Sequence, residues 1–180
     1  MSTLTLSGNL VRLTLMQSEE DLLQWSTWYR NGDFSRFLDA NPALLYTPAQ
    51  IKSWLEADRV EFTLFGIRTL AEDKLIGFVD LDGFDWVSRS AWTAIGIGGR
   101  DNWGKGYGTE AMRLLLRYAF ATLNLNRVNL DVFGYNQRAY RSYVKCGFKE
   151  EGRERQALNR FNQRWDTVYM GILREEWADL

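Results

Sequence analysis

The sequence predicts an α/β or α+β sheet protein, and three observations carry that prediction. Short stretches alternate apolar with polar residues, as half-buried strands do, while others repeat apolar residues at helical spacing, so strands and helices are interspersed. The 180 residues are 46% apolar, enough for one full core. With two prolines and no repeat or low-complexity segment, no linker divides the chain, and residues 1–180 read as one domain.

The elements follow in order. "LVRLTLM", Leu10 to Met16, alternates as a strand. Ser18 then caps a helix whose first turn is acidic at Glu19, Glu20 and Asp21 and which runs through Tyr29, with Trp25, Trp28 and Tyr29 near one face. "RNGDFSRFLDANPALLY" reads as an irregular, aromatic-bearing connection. "TPAQIKSWLEADR" opens on Thr47 as cap, Pro48 at the first helical position and Gln50 completing a capping box, so a second helix is expected to Arg59. "EFTLFGIRT" and "KLIGFVDLDGF" read as strands joined by a polar turn at Ala71 to Lys74, with Gly77 marking a bulge or a close backbone approach. "AWTAIGIGG" is a further strand ending in glycines.

From Thr109 onward Ala111, Met112, Leu115, Leu116, Ala119, Phe120 and Leu123 fall at helical spacing. "RVNLDVFGY" is a strand. Asn136 caps a helix that Gly147 stops. "FKEEGRERQAL" and "RWDTVYMGILREEW" form a long hairpin turning near Asn159 to Gln163. The expected order is one strand, two helices, three strands, a helix, a strand, a helix and two strands.

Composition narrows the function. A formal net charge of -1, from 22 basic and 23 acidic residues, argues against non-specific nucleic-acid binding or an anionic membrane partner. No apolar run approaches the ~20 residues needed to span a bilayer, and "MSTLTLSGNL" lacks the regions of a secretory leader, so a cytoplasmic location is expected. Histidine is absent, which excludes Ser-His-Asp triads and histidine metal sites and leaves acid–base work to carboxylates, tyrosine, lysine, cysteine or water. The single cysteine, Cys146, gives neither a disulfide framework nor a metal cage, so no metal is expected.

The stretch "NWGKGYGTEA", Asn102 to Ala111, runs three glycines into a helix. Lys105 lies between glycines and no lysine follows Gly108, so P-loop spacing fails; Thr109 stands where a dinucleotide fingerprint needs its third glycine. "KGYG" copies half of an RNA-recognition strand, but the chain continues as a helix. Two readings remain open for the loop alone. Either it is a tight strand-to-helix turn, or its backbone N–H groups and the helix's positive end cradle an anion such as a pyrophosphate.

Downstream, "NQRAYRSYVKCGF" places Asn136, Ala139, Tyr143, Gly147 and Phe148 in the pattern N-x-x-A-x-x-x-Y-x-x-x-G-F. With the glycine loop before it, the chain resembles the GNAT superfamily of acyl-CoA-dependent N-acetyltransferases, in which a [QR]-x-x-G-x-[GA] loop precedes such a segment. The resemblance spans most of the chain and is closest to the branch that modifies ribosomal-protein N-termini. Aligning Gly106 and Gly108 with the family glycines puts Trp103 where Gln or Arg is usual.

The resemblance implies a mixed, mostly antiparallel sheet of about six or seven strands, splayed between the fourth and fifth and flanked by four helices. It implies acetyl-CoA as co-substrate and direct transfer to an amine in a ternary complex. The splayed strand, at Ile97, Gly98 and Gly99, would pair with pantetheine and the thioester oxygen. The loop Trp103, Gly104, Lys105, Gly106, Tyr107, Gly108 and Thr109 would hold the pyrophosphate, and Asn136 would bond the pantetheine arm. Tyr143 matches the family's thiolate-protonating tyrosine. Asp80, Asp82 and Asp85 are the base candidates, and Arg113, Arg117, Arg138, Arg141 and Lys145 the basic residues near the 3'-phosphate. Trp28, Phe34, Phe37 and Trp86 are the acceptor-side aromatics.

An α-amine, with a pKa of roughly 8 against about 10.4 for lysine, needs less help from a base. A protein N-terminus is therefore the leading acceptor, with a polyamine, aminoglycoside or amino-acid-like amine as the alternative and a non-catalytic acyl-CoA-binding module as the rival class. The expected assembly is a monomer or homodimer.

Overall fold

The computed structural model describes residues 6–16, 18–56 and 62–177. Among them are eight strands and five α-helices. In chain order these are β1 (Val11–Thr14), α1 (Glu19–Tyr29), α2 (Gly32–Leu38), α3 (Pro48–Glu56), β2 (Thr63–Thr69), β3 (Leu75–Asp85), β4 (Ser90–Trp92) and β5 (Ile95–Ile97). After them come α4 (Tyr107–Arg117), β6 (Arg127–Phe133), α5 (Gln137–Lys145), β7 (Lys149–Arg160) and β8 (Gln163–Leu173). Residues 57–59 of the expected second helix, position 61 of the next strand and the first five residues lie outside the described residues.

The helix starts expected from sequence form as their caps require. Ser18 Oγ accepts from Asp21 N, and Thr47 and Gln50 close a reciprocal box in which Thr47 N donates to Gln50 Oε1 at 2.9 Å. The segment read as an irregular connection is a correction: it contains α2, capped by Asn31 through Asp33 N. The sheet likewise has one strand more than expected, because "AWTAIGIGG" breaks at Thr93 and Ala94 into β4 and β5.

The sheet runs β1-β2-β3-β4-β6-β8-β7, with β5 also paired to β3. Every pairing is antiparallel except β4 with β6. The break at Thr93–Ala94 shapes the molecule. Before it, Ser90 to Trp92 lie beside Arg127 to Asn129 of β6. After it, β5 stays with β3 in the register Gly77↔Ile97, while Leu130 to Phe133 of β6 pair only with β8 among the described residues. The sheet therefore splays between β5 and β6. Gly77 meets both expectations for it: the register with β2 shifts beside it, and an added Cβ would sit 2.3 Å from the Gly96 carbonyl oxygen.

Two apolar clusters hold the halves together. One lies between the sheet and α4 and α5, and includes Val79, Leu81, Leu115, Phe120, Leu130 and Met170, all nearly or fully buried. The other packs Leu22, Trp25, Trp28, Phe34 and Ile51 of the first three helices onto Leu75 and Phe78 of β3. The last hairpin turns through Phe161 and Asn162, both at positive φ (54° and 57°), the two-residue turn that suits strand twist.

Candidate active site

Strand alternation determines what the splay offers. The N–H of Asp80 donates to Ala94 O at 3.0 Å and that of Gly98 to Ile76 O at 2.8 Å, so even-numbered residues of this segment face β3. Thr93 N instead donates to Asn129 O of β6, which puts the peptide groups of Ile95 and Ile97 on the edge that β6 has left. A ligand entering the splay thus meets strand-edge donors and acceptors at Ile95 and Ile97. The Ile97 carbonyl already accepts from Trp103 Nε1 at 2.8 Å.

The glycine loop closes one end. Gly104 and Gly106 hold φ of 77° and 88°, in the left-handed region, and Gly106 is the N-cap of α4 without any side-chain cap. The first helical bond runs from Glu110 N to Gly106 O, so the N–H groups of Tyr107, Gly108 and Thr109 precede it. Nothing stands within 4 Å of where a Gly104 side chain would begin. Positive helix end, early N–H groups and open backbone are together what an anion cradle requires. Glu110 points the other way, its carboxylate accepting from Asn9, Leu10 and Val11 N and tying β1 to α4.

Helix α5 forms the opposite wall. Thr109 Oγ1 and Ser142 Oγ lie 2.7 Å apart, and Cys146 Sγ donates to Thr109 O, so the two walls are bonded to each other. Asn136 is buried; its Oδ1 caps α5 at Ala139 N and its Nδ2 reaches Phe37 O at 3.4 Å. The end of α2 becomes a roof, held also by Tyr135 Oη on Arg36 O and by Arg160 Nη2 on the carbonyls of Asp39, Ala40 and Asn41.

These walls enclose a cleft of about 280 Å³ that runs from Gly104, Gly106, Gly108 and Thr109 past Ile97 and Trp103 to Asn136 and Tyr143. A second chamber of about 70 Å³ continues through the splay between Thr93, Ala94 and Ile95 on one side and Asp131, Val132 and Phe133 on the other. Phe37, Leu38, Ile95, Asn136 and Tyr143 line both.

At the junction, Tyr143 is buried and packs edge-on to Phe148. Burial, then the charges of Asp131, Cys146 and Asp80, push its phenol above the ordinary value, with Arg138 opposing. It stays protonated throughout the working range. Asp131 is exposed by area, yet the surrounding protein desolvates its carboxyl and raises its pKa. Burial pushes the Cys146 thiol up to about 11, so it is an inert part of the wall.

The expected site residues divide accordingly. Ile97, Trp103, Gly104, Gly106, Tyr107, Gly108, Thr109, Asn136 and Tyr143 line the cleft. Gly98, Gly99 and Lys105 do not: the Gly98 N–H is used by β3 and its Cα lies against the Trp28 indole. Of the aromatics, Phe34 and Phe37 line the cleft. Trp28 is core beneath Gly98, and Trp86 stacks on Phe84 at the exposed β3–β4 turn. Of the carboxylates, Asp80 accepts from Ala94 N at 2.8 Å and is close enough to Tyr143 to raise its phenol. Asp82 is exposed outside both chambers. Asp85 organises the β3–β4 turn through Val87 and Ser88, whose hydrogen bonds lower its pKa. Arg138, Arg141 and Lys145 line the cleft, whereas Arg113 donates to Lys145 O and, with Arg117, lies outside the lining. The chamber carboxylate Asp131 was absent from the expected set.

The family model described as an acetyltransferase (GNAT) domain matches residues 11–149, most of the chain. The chain belongs to the GNAT acetyltransferase family. An uncharacterized N-acetyltransferase, YnaD, of Bacillus subtilis (strain 168) is 25% identical over 91% of this chain and 95% of its own length. A putative ribosomal N-acetyltransferase, YdaF, of the same organism is 35% identical over 60% of this chain and 58% of its own. A crystal structure of spermidine N-acetyltransferase from Vibrio cholerae, in complex with CoA and spermine, has the same fold at a TM-score of 0.79. It is 23% identical and the match covers 92% and 96% of the two chains.

As a GNAT enzyme the chain is an N-acetyltransferase with acetyl-CoA as co-substrate. Its residues fit that donor. The α4 cradle suits a pyrophosphate, and the Ile95–Ile97 edge offers amide-pairing groups at the cleft's middle. The expected splay and mixed sheet are the ones found.

Proposed function

We propose that this enzyme acetylates the α-amine of a protein or peptide N-terminus. In this reading the donor lies in the cleft and the acceptor reaches it through the second chamber. The observation that carries the reading is the composition of that chamber: its lining holds a single carboxylate, Asp131, with the uncharged polar Thr93 and Asn136, apolar side chains and Tyr143. A polyamine carries several ammonium groups and calls for several carboxylates, whereas an N-terminus brings one. An α-amine also loses its proton near pH 8, so one carboxylate suffices to take it.

Asp131 accepts the proton that the ammonium must lose, while Asp80, outside the chamber lining and held by Ala94 N, acts only through its charge on Tyr143. The strand-edge N–H groups of Ile95 and Ile97 face the splay, where they polarise a carbonyl. Tyr143, kept protonated by burial, supplies a proton at the leaving sulfur. Arg138, Arg141 and Lys145 on α5 supply positive charge along the donor's path. When bound, the donor supplies the activated acetyl group.

The partial match to a putative ribosomal N-acetyltransferase supports this acceptor class. A polyamine is the second reading. It is favoured by a 38% identical stretch, 42% of this chain, shared with spermidine N(1)-acetyltransferase of Escherichia coli (strain K12). Thiol release from acetyl-CoA separates the two when peptides with free and blocked N-termini are compared with spermidine. Turnover is expected on free N-termini and abolished by blocking them. Preference for spermidine would replace the first reading with the second, and donor binding without turnover on any amine would leave a binding module.

A further inference from the structure

Trp103 occupies an unusual place for a loop residue. Its Nε1 donates to Ile97 O at 2.8 Å, on the strand edge that faces the splay. The guanidinium of Arg138 lies 3.5 Å over its ring centroid, and Phe37 meets it edge-on at 5.8 Å. A cation so close to an indole face is strongly held. The ring therefore touches three walls of the cleft: β5 at Ile97, α5 at Arg138 and α2 at Phe37.

A donor that pairs with the open strand edge at Ile97 meets this contact. The donor's pantetheine arm carries secondary amides, each with one N–H and one C=O, matching an open strand edge as an added strand would. The acceptor it would meet at Ile97 is already engaged. We propose that the Trp103 indole N–H is a stand-in for a pantetheine amide: it satisfies Ile97 O in the free enzyme and is displaced when the donor binds. Trp103, clamped by Arg138, is then a positioning residue that keeps the cleft ordered and lowers donor affinity. The inference rests on acetyl-CoA being the donor.

The sign distinguishes this role from an ordinary contact. Replacing a residue that merely lines a donor site weakens binding; replacing a stand-in strengthens it. Trp103→Phe keeps an aromatic ring beside Phe37 and Arg138, smaller than the indole, and removes the N–H donor. With one hydrogen bond no longer lost on binding, the Kd for coenzyme A measured calorimetrically is expected to fall about two- to tenfold. Adenosine 3',5'-bisphosphate, which has no pantetheine arm, is expected to bind both proteins equally. Trp103→Leu, which also has no donor, serves as the second variant with the same expectation should Trp103→Phe not fold. In ¹⁵N-labelled wild type, the indole resonance lost in the variant is expected to shift when coenzyme A is added and to stay in place with the bisphosphate. Unchanged or weaker coenzyme A binding by the variant, or an indole resonance that coenzyme A leaves in place, overturns the proposal. If wild type binds neither compound, the donor reading itself fails and this inference with it.

Discussion

Tyr143, Asp131 and Asn136 meet at one point, and each is there for a different local reason. Tyr143 is brought in by α5, which Asn136 caps, and by the glycine at position 147, whose φ of 98° ends the helix. These were legible because a helix with a cap and a stop can be read from neighbouring residues. Asp131 was not legible. In sequence it is the polar member of an alternating strand, and its role depends on β5 leaving β6 more than thirty positions earlier. For Tyr143→Phe, with an unchanged ring and no proton to give, kcat is expected to fall by about a hundredfold or more. Its coenzyme A Kd should stay within about twofold; lost affinity with unchanged kcat would remove the acid role. Asp131→Asn is expected to lower kcat/KM and raise Tm at pH 7. The sign follows from linkage: a carboxyl whose folded pKa is raised holds its proton longer when folded. Stability is therefore lost as pH rises from the unfolded value through the folded one, and above both the charge is a net cost. The amide escapes that cost, so its Tm advantage should vanish in acid below both values. An advantage that persists there would refute the assignment.

At the scale of elements, the glycine loop and α2 make an instructive pair. The loop could be read as turn or cradle from sequence; the structure shows the positive φ the turn requires at Gly104 and Gly106, and the start of α4 at Gly106 without a side-chain cap is what the cradle reading needs as well. Helix α2 was missed because seven residues are too few to show a period, and an isolated helix of that length is unstable. Tertiary bonds hold it, chiefly Arg160 from the last hairpin on the carbonyls that follow it, together with the Arg100 guanidinium on Asp33. Phe37, at its C-terminal end, roofs both chambers. Arg160→Ala is thus expected to raise the acceptor KM about five- to thirtyfold, about 1–2 kcal/mol of lost positioning, while the coenzyme A Kd changes little. Steady-state kinetics with either substrate varied separates the two constants. A selective loss of donor affinity would mean that the roof serves the donor instead.

For the whole molecule, the organising event is the division of one expected strand at Thr93 and Ala94. The order of strands and helices along the chain was legible because alternation, turns and the last hairpin carry local signatures, while the mixed sheet was expected only from the family resemblance; the division was not legible, because nothing in "AWTAIGIGG" distinguishes a kinked strand from a straight one. From it come the splay, the strand edge at Ile95 and Ile97, and a continuous path from an anion cradle to a protonated phenol and a carboxylate. The central claim is that this path holds the acyl donor by its backbone. Gly106 tests it, since a β-branched residue at φ 88° is strained by about 1–3 kcal/mol and its Cβ would press on Leu10 at 3.4 Å, so the loop backbone must shift while every acid–base group stays untouched. Calorimetric titration of coenzyme A should show one site per chain in wild type and a Kd raised at least about tenfold in Gly106→Val that still melts cooperatively; equal affinity in that variant, or no binding to wild type, would contradict the account.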